Sequence, residues 1–405
     1  MKIELHILQN FAPSNLNRDD TGAPKDCELG GYRRARISSQ CLKRAVRDAF
    51  QVHGMFDSKE LAVRTKRLVE NVADELAGEH HRDRALAIEL AAATLAGAGL
   101  KVKDADENHK SEYLLFLPKR HLAQLAALID KHWDALMPLA AADAKTGDDR
   151  PSETPAKAKT KKKDKAEKKS AFPKEVRDEL IPIFEDAART PDLALFGRMI
   201  ADAPNWNVEA ACQVAHAIST NRVSMDFDFY TAVDDLRPED TAGSDMMGTV
   251  QFNSSCFYRY SVLDVDDLRK NLGPEDDLVR KTVGAYLRAS VLAIPTGKQN
   301  SMAAHNPPSF VLAIARQNGA PVSLANAFCK PVRPDGETDL VSASIEALQD
   351  YLGRVYGMCG VRQADAFYIA DREIKPLQKP ITLQSSGNLD ALVSAVDGKI
   401  SGASQ

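Results

Sequence analysis

Residues Lys2 to Leu8 alternate, with Ile3, Leu5 and Ile7 on one face and Glu4 and His6 on the other, so the chain is predicted to open on a half-buried β-strand. The stretch that follows, NFAPSNLNRDDTGAPKDCELGG, is rich in Asn, Asp, Pro and Gly and reads as a loop. A helix then starts at Ser38 or Ser39, either of which offers a hydroxyl to the orphan amides of a first turn. Leu42, Ala45, Val46, Ala49 and Phe50 form its apolar stripe. Gln40, Lys43, Arg44 and Arg47 repeat the same spacing on the opposite face, predicting a cationic stripe turned to solvent.

From about residue 57 to about 142 the apolar positions keep a helical period, as in ELAVRTKRLVENVADELAG, RALAIELAAATLAGAG and HLAQLAALIDKHWDALMPLAA. Between Pro151 and Ser170 every large apolar side chain disappears. Such a stretch cannot offset its ordering entropy by burial and reads as a disordered, insertion-like loop, its lysines from Lys157 to Lys169 fitting a solvated tether before a contact to nucleic acid. Helical patterning returns near Lys174. MMGTVQFNSSCFYRYSVLD then reads as a strand, LVRKTVGAYLRASVLAI as a helix, SFVLAIAR as a short buried strand and TDLVSASIEALQDYLGRVYGM as a helix. Strands alternating with helices around a large helical insertion predict an α+β sandwich of the split βαβ kind.

Composition narrows the function. With 405 residues and 44 % hydrophobic content, the chain can bury a large core without staples. Its six cysteines never fall in a C-x-x-C pair and read as reduced thiols of a cytosolic protein; no thiols stand near His80 and His81 to complete a zinc set. No signal-like or membrane-length apolar run is present, so a soluble, cytoplasmic protein is expected. PTGKQNS, Pro295 to Ser301, lacks the first glycine of a phosphate loop because position 292 is Leu292, and neither G-x-S-x-G nor H-E-x-x-H occurs.

Charge distribution matters more than the net of −4. Between Tyr32 and Arg47 lie six basic side chains and no acidic one, a surface suited to a polyanion, with helix-start amides as a further phosphate site. Asp226, Asp228, Asp234 and Asp235 read as solvated hairpin residues rather than a metal cluster, and Asp19 and Asp20 as turn residues. Phe229 and Tyr230 fit either a core or a platform on which bases stack.

Taken together, SNLNRDD, LGGYRRARISSQCLKRAVR, GRM, AHAIST, FYTAVDDL, GTVQFNSSCFYRY, GKQNSMAAHNP and SLANAF resemble, in order and spacing, the CasC family, the backbone subunit of type I-E CRISPR Cascade complexes. The resemblance covers roughly half the chain. It implies an RRM-like (ferredoxin-like) palm over residues 1–56 and 201–380, with a protruding thumb β-hairpin around 222–250. It also implies a helical fingers domain over 57–200 containing the Lys-rich loop at 143–172, and a C-terminal tail over 381–405.

By the same resemblance the subunit binds CRISPR RNA, is non-catalytic, needs no metal or cofactor and polymerises with further copies of itself in a helical filament. Its other partners are the target DNA strand and the large, small and guide-end-capping Cascade subunits, without a membrane. Arg18 and Lys25 look like loop contacts to the guide, and Ser38, Gln40, Lys43, Arg44 and Arg47 like helix contacts. Arg34, Arg36 and Lys298 extend the RNA-binding set, Met199 looks like a wedge at the displaced base, and Phe229, Tyr230 and Thr231 belong to the thumb. Two rival expectations are a ribonuclease subunit that uses Asp19 or Asp20 with a metal, and a helical scaffold that binds no RNA.

Overall fold

A computed structural model describes residues 1–103, 109–144, 172–186, 189–201, 203–232, 246–361, 364–375 and 381–402. The Lys-rich segment expected to be disordered, and Asp234 and Asp235, lie outside the described residues. The chain divides into two compact units: Met1–Met55, Ala211–Lys270 and Pro274–Gln405 form the first, and Phe56–Ala210 with Asn271–Gly273 the second.

In chain order the strands are β1 (Lys2–Ser14), β2 (Asp26–Leu29), β3 (Tyr32–Ile37), β4 (Ala62–Thr65), β5 (Leu115–Pro118), β6 (Cys212–Val214), β7 (Ala217–Ser219), β8 (Asp226–Ala232), β9 (Met246–Asp264), β10 (Phe310–Arg316), β11 (Asp365–Ala370) and β12 (Leu383–Ser385). The α-helices are α1 (Ser39–Val52), α2 (Leu68–Glu79), α3 (Arg84–Gly97), α4 (Arg120–Lys131), α5 (Trp133–Ala144), α6 (Lys174–Glu185), α7 (Pro191–Phe196), α8 (Val265–Leu272), α9 (Asp276–Leu292), α10 (Gln299–Met302), α11 (Leu340–Met358) and α12 (Leu389–Gly402). The first unit holds a ten-stranded sheet in the order β12-β11-β10-β1-β9-β7-β3-β2, with β6 and β8 also paired to β9.

The opening strand is longer and more deeply buried than its alternation predicts. It runs to Ser14 and lies between β9 and β10, antiparallel to both. Its Leu5 and Ile7 face adjoins Leu42 and Val46 of α1 and Tyr286 of α9. The face carrying Glu4 and His6 is covered as well, because α11 supplies Val341, Ile345, Leu348, Leu352 and Tyr356 to a core with Leu8, Tyr258 and Leu312. Both polar side chains are 0 % exposed. Burial of a charge demands partners. Glu4 accepts hydrogen bonds from the Arg316 guanidinium, from the Tyr260 hydroxyl at 2.9 Å and from the Val322 amide at 2.7 Å. These partners stand more than 250 residues away, out of reach of a periodicity argument.

His6 has a consequence for stability. Its Nδ1 lies 2.9 Å from the Tyr258 hydroxyl, and burial, with Arg316 nearby, pushes the imidazole down to about 3 from an ordinary 6.5. The folded protein refuses a proton that the unfolded chain accepts below pH 6.5, so stability is full above that value and is lost as pH falls toward 3. The expected slope from this one group is roughly 1.4 kcal/mol per pH unit. Urea titrations between pH 7 and pH 4 measure it, and His6→Gln is expected to remove that share of the slope.

The last segment, expected as a tail, is a folded part of the first unit. β12 pairs in parallel with β11, and α12 buries Leu392, Val393, Val396 and Ile400 while Asp397 and Asp390 meet Arg280 and Arg288 of α9. The spacing of those four residues is an ordinary helical stripe.

The second unit is mainly helical, with a core that includes Val72, Leu76, Leu90, Leu125, Ile129, Leu180, Phe184 and Trp206. Two features depart from the sequence pattern. Ala62–Thr65, inside an apparently helical repeat, is strand β4 because it finds an antiparallel partner in β5 some fifty residues on. The period from His121 to Ala141 is not one helix, because α4 ends at its cap, His132, and α5 begins at Trp133. Buried Arg198 donates to the carbonyls of Trp206 and Phe184, so within the GRM motif the arginine is a core tie, while Met199 beside it is 85 % exposed.

Candidate nucleic-acid interface

The predicted site residues of the first unit fall into groups set by three local devices. The first is the turn after β1. Asp19 accepts from the Thr21 amide and hydroxyl and from the Ala23 amide, at 2.9, 2.7 and 3.0 Å, and the Thr21 hydroxyl above all holds its carboxyl below the usual range. Asp19 thus organises a turn that also uses Gly22 at φ 87°. Asp20 is exposed beside it. The turn is docked to the helix because Asn17 Oδ1 accepts from the Ser38 amide at 2.8 Å.

The second device is the start of α1. Ser38 is the N-cap, extended at φ −69° and ψ 149°, and its hydroxyl accepts from the Cys41 amide at 3.3 Å. Its side chain is therefore buried and engaged with the helix. Gln40 and Arg44 are exposed, whereas Lys43 and Arg47 are half-buried along the flanks of the stripe. The surface is not purely cationic: Arg44 Nε meets Asp48 Oδ2 at 3.0 Å, and Arg33 is paired with Asp26.

The third device is the loop before α10. Gly297 lies so close to the turn that an added Cβ would stand 2.4 Å from the Leu16 carbonyl oxygen, so a side chain there would push the two loops apart. Lys298 follows in the left-handed region, at φ 53°. The apposed loops and α1 enclose a cleft of about 490 Å³ lined by Arg18, Asp19, Asp20, Arg44, Asp48 and Gly297 among others. Across the same loop a second cleft, of about 600 Å³, is lined by Lys298, Ser301, Met302, Asp228, Tyr230 and Pro13. Arg18 and Arg44 therefore share one cleft, and Lys298 and Tyr230 share its neighbour.

Above the second cleft β8 and β9 form a two-stranded hairpin with Asp226 opposite Phe252 and Tyr230 opposite Gly248. Phe227, Phe229 and Tyr230 are 66 %, 60 % and 47 % exposed, so Phe229 and Tyr230 are not core residues of this chain. The Tyr230 ring occupies the space over Gly248, where a Cβ would come within 2.5 Å of it. Thr231 is in the hairpin strand, paired with Met247.

A third group lies along β3. Lys25 and Arg36 are half-buried and adjacent, the Arg36 amide donating to the Lys25 carbonyl at 2.9 Å. Arg36 also reaches His216, a residue that no spacing rule singles out because its partner lies 180 positions away. Met199 belongs to the second unit.

Arg34 corrects the sequence reading. It is 0 % exposed, and its guanidinium donates to the carbonyls of Ser219, Thr220, Asn221, Phe328 and Cys329. The two residues before it, Tyr32 and Arg33, are the exposed ones. The reason is topological: β3 lies inside the sheet between β2 and β7, and two returning chain segments close over Arg34. Gly30 takes part in the same closure, at φ 62° with the Cys329 carbonyl where a Cβ would sit. With Gly31 at φ 79° it makes a two-residue β2–β3 turn, Leu29 opposite Tyr32, of the kind that needs positive φ twice.

Among the described residues no group of three or more His, Cys, Asp or Glu side chains converges on a metal-sized site, and no helix is long and apolar enough to cross a membrane.

A mixed α+β chain with a large sheet, a β8–β9 hairpin and paired polar clefts agrees with the CasC-like class that the motifs indicate. The chain belongs to the CT1975-like protein family, whose model matches residues 3–395. Among solved structures it is similar to a chain described as "CRISPR RNA-guided surveillance complex, pre-nicking", at 29 % identity and a TM-score of 0.81 over 98 % of this chain and 100 % of that one. A second chain, described as "CRISPR RNA-guided surveillance complex", matches at 24 % identity and a TM-score of 0.68 over the same shares and supports the fold. No curated protein sequence matches.

Proposed function

We propose that the protein is a non-catalytic backbone subunit of a type I-E Cascade surveillance complex, holding CRISPR RNA for pairing with target DNA. The observation that carries this is the full-length likeness, at 29 % identity, to a chain of an RNA-guided surveillance complex. In this reading the first unit is the RRM-like palm, the second the fingers, and the β8–β9 hairpin the thumb, with further copies stacking head to tail as a filament along the guide. Arg18, Arg44, Lys25, Arg36 and Lys298 hold phosphates, with Gln40 and the half-buried Lys43 and Arg47 beside them. Phe229 and Tyr230 offer faces to bases. Such a subunit must accept any guide sequence, so it grips the backbone and leaves sequence reading to base pairing.

The ribonuclease alternative places a metal at Asp19 or Asp20. Asp19 Oδ1 accepts from three donors of its own turn, a structural use of the carboxylate that favours the non-catalytic reading. Assembled complex incubated with complementary RNA and magnesium is expected to leave that RNA intact. Regularly spaced cuts that vanish in Asp20→Ala would establish the enzyme instead.

A further inference from the structure

We propose that His216 is a guide-phosphate ligand acting as a neutral donor through Nε2–H, its tautomer fixed by Arg36; this rests on the guide-binding reading. His216 is exposed and immediately precedes β7, whose Ile218 is opposite Arg36 on β3. Arg36 Nη1 lies 3.0 Å from His216 Nδ1, and Arg36 Nε donates to the Asp26 carbonyl at 3.1 Å. A guanidinium has donors only, so Nδ1 must be the acceptor, and in the neutral ring the single proton then sits on Nε2.

The charges around the ring keep it in that state. Partial burial, then Arg36, then Lys25, hold the imidazole below its ordinary range. The carboxylate of Asp26, whose backbone carbonyl Arg36 engages, is paired with Arg33, and among the described residues no acid is paired with His216. A polarised N–H therefore belongs to a ring near two cations that attract a phosphate, and it adds a directional contact without adding charge.

That combination gives a signature separable from the lysines and arginines. Binding of a short fluorescent single-stranded RNA to the purified full chain, measured at pH 7.5 across a salt series, is expected to weaken about 10-fold in His216→Ala with the slope of log K against log salt unchanged. His216→Gln, which keeps an N–H donor, is expected to recover most of the loss. Lys25→Ala is expected to flatten the slope by about 0.7, the share of one single-strand phosphate. Wild-type affinity in His216→Ala, or a slope that falls with it, overturns the assignment. A wild-type chain that binds no RNA at any salt overturns the guide-binding reading itself, and this assignment with it.

Discussion

Arg34→Met is expected to destabilise the first unit by about 4 kcal/mol or more, as a shift of its urea midpoint, because it removes the shared donor of five carbonyls. Those carbonyls belong to Ser219–Asn221 and Phe328–Cys329, two segments that the fold must bring against β3. A methionine fills much of the volume but offers no hydrogen, and each orphaned buried acceptor costs about 1–3 kcal/mol. Arg34→Lys is expected to fare little better, since an ammonium lacks the planar fork that reaches both segments at once. The same variants discriminate between core and interface roles. A lysine variant with wild-type stability and weakened RNA binding would return Arg34 to the surface.

The second large effect concerns the cleft. Arg18→Glu combined with Arg44→Glu is expected to weaken RNA retention by one to two orders of magnitude and to flatten the salt slope by roughly 1.4, two phosphates' worth. Both side chains are exposed and line the same cleft, so the fold should tolerate the change. Arg44→Glu also leaves Asp48 facing a like charge, which deepens the local repulsion of RNA. The loss should be uniform across guide sequences, because phosphate contacts carry no base information. Arg354→Glu is the control: it is exposed on α11, which covers the sheet face opposite α1, and should change neither quantity.

What the sequence could disclose was local. Ser38 as a cap, the Leu42–Phe50 stripe and the β9 strand all depend on neighbours a few residues away, and each appears in the structure. Arg34, Glu4 and His6 were misread for one shared reason. Each obeys a surface-like pattern locally, yet each is enclosed by segments between 180 and 320 residues distant, and only topology decides which face of a strand stays wet. The helical reading of Ala62–Thr65 failed likewise, because pairing with β5 overrides a weak local preference. For the candidate site, residue types were legible but not their grouping. Nothing in the spacing of Arg18, Arg44 and Gly297 announces a common cleft, and His216 acquires meaning only beside Arg36.

Several copies of this chain are expected to line up on one RNA strand. Native mass spectrometry of the chain purified after co-expression with a CRISPR array and the remaining complex subunits tests it most directly. One assembly containing multiple copies of this chain and a single short RNA is expected, with that RNA lost at high salt and from the Arg18→Glu, Arg44→Glu variant. Protein recovered as a nucleotide-free monomer, or in a complex whose RNA content ignores that variant, would contradict it.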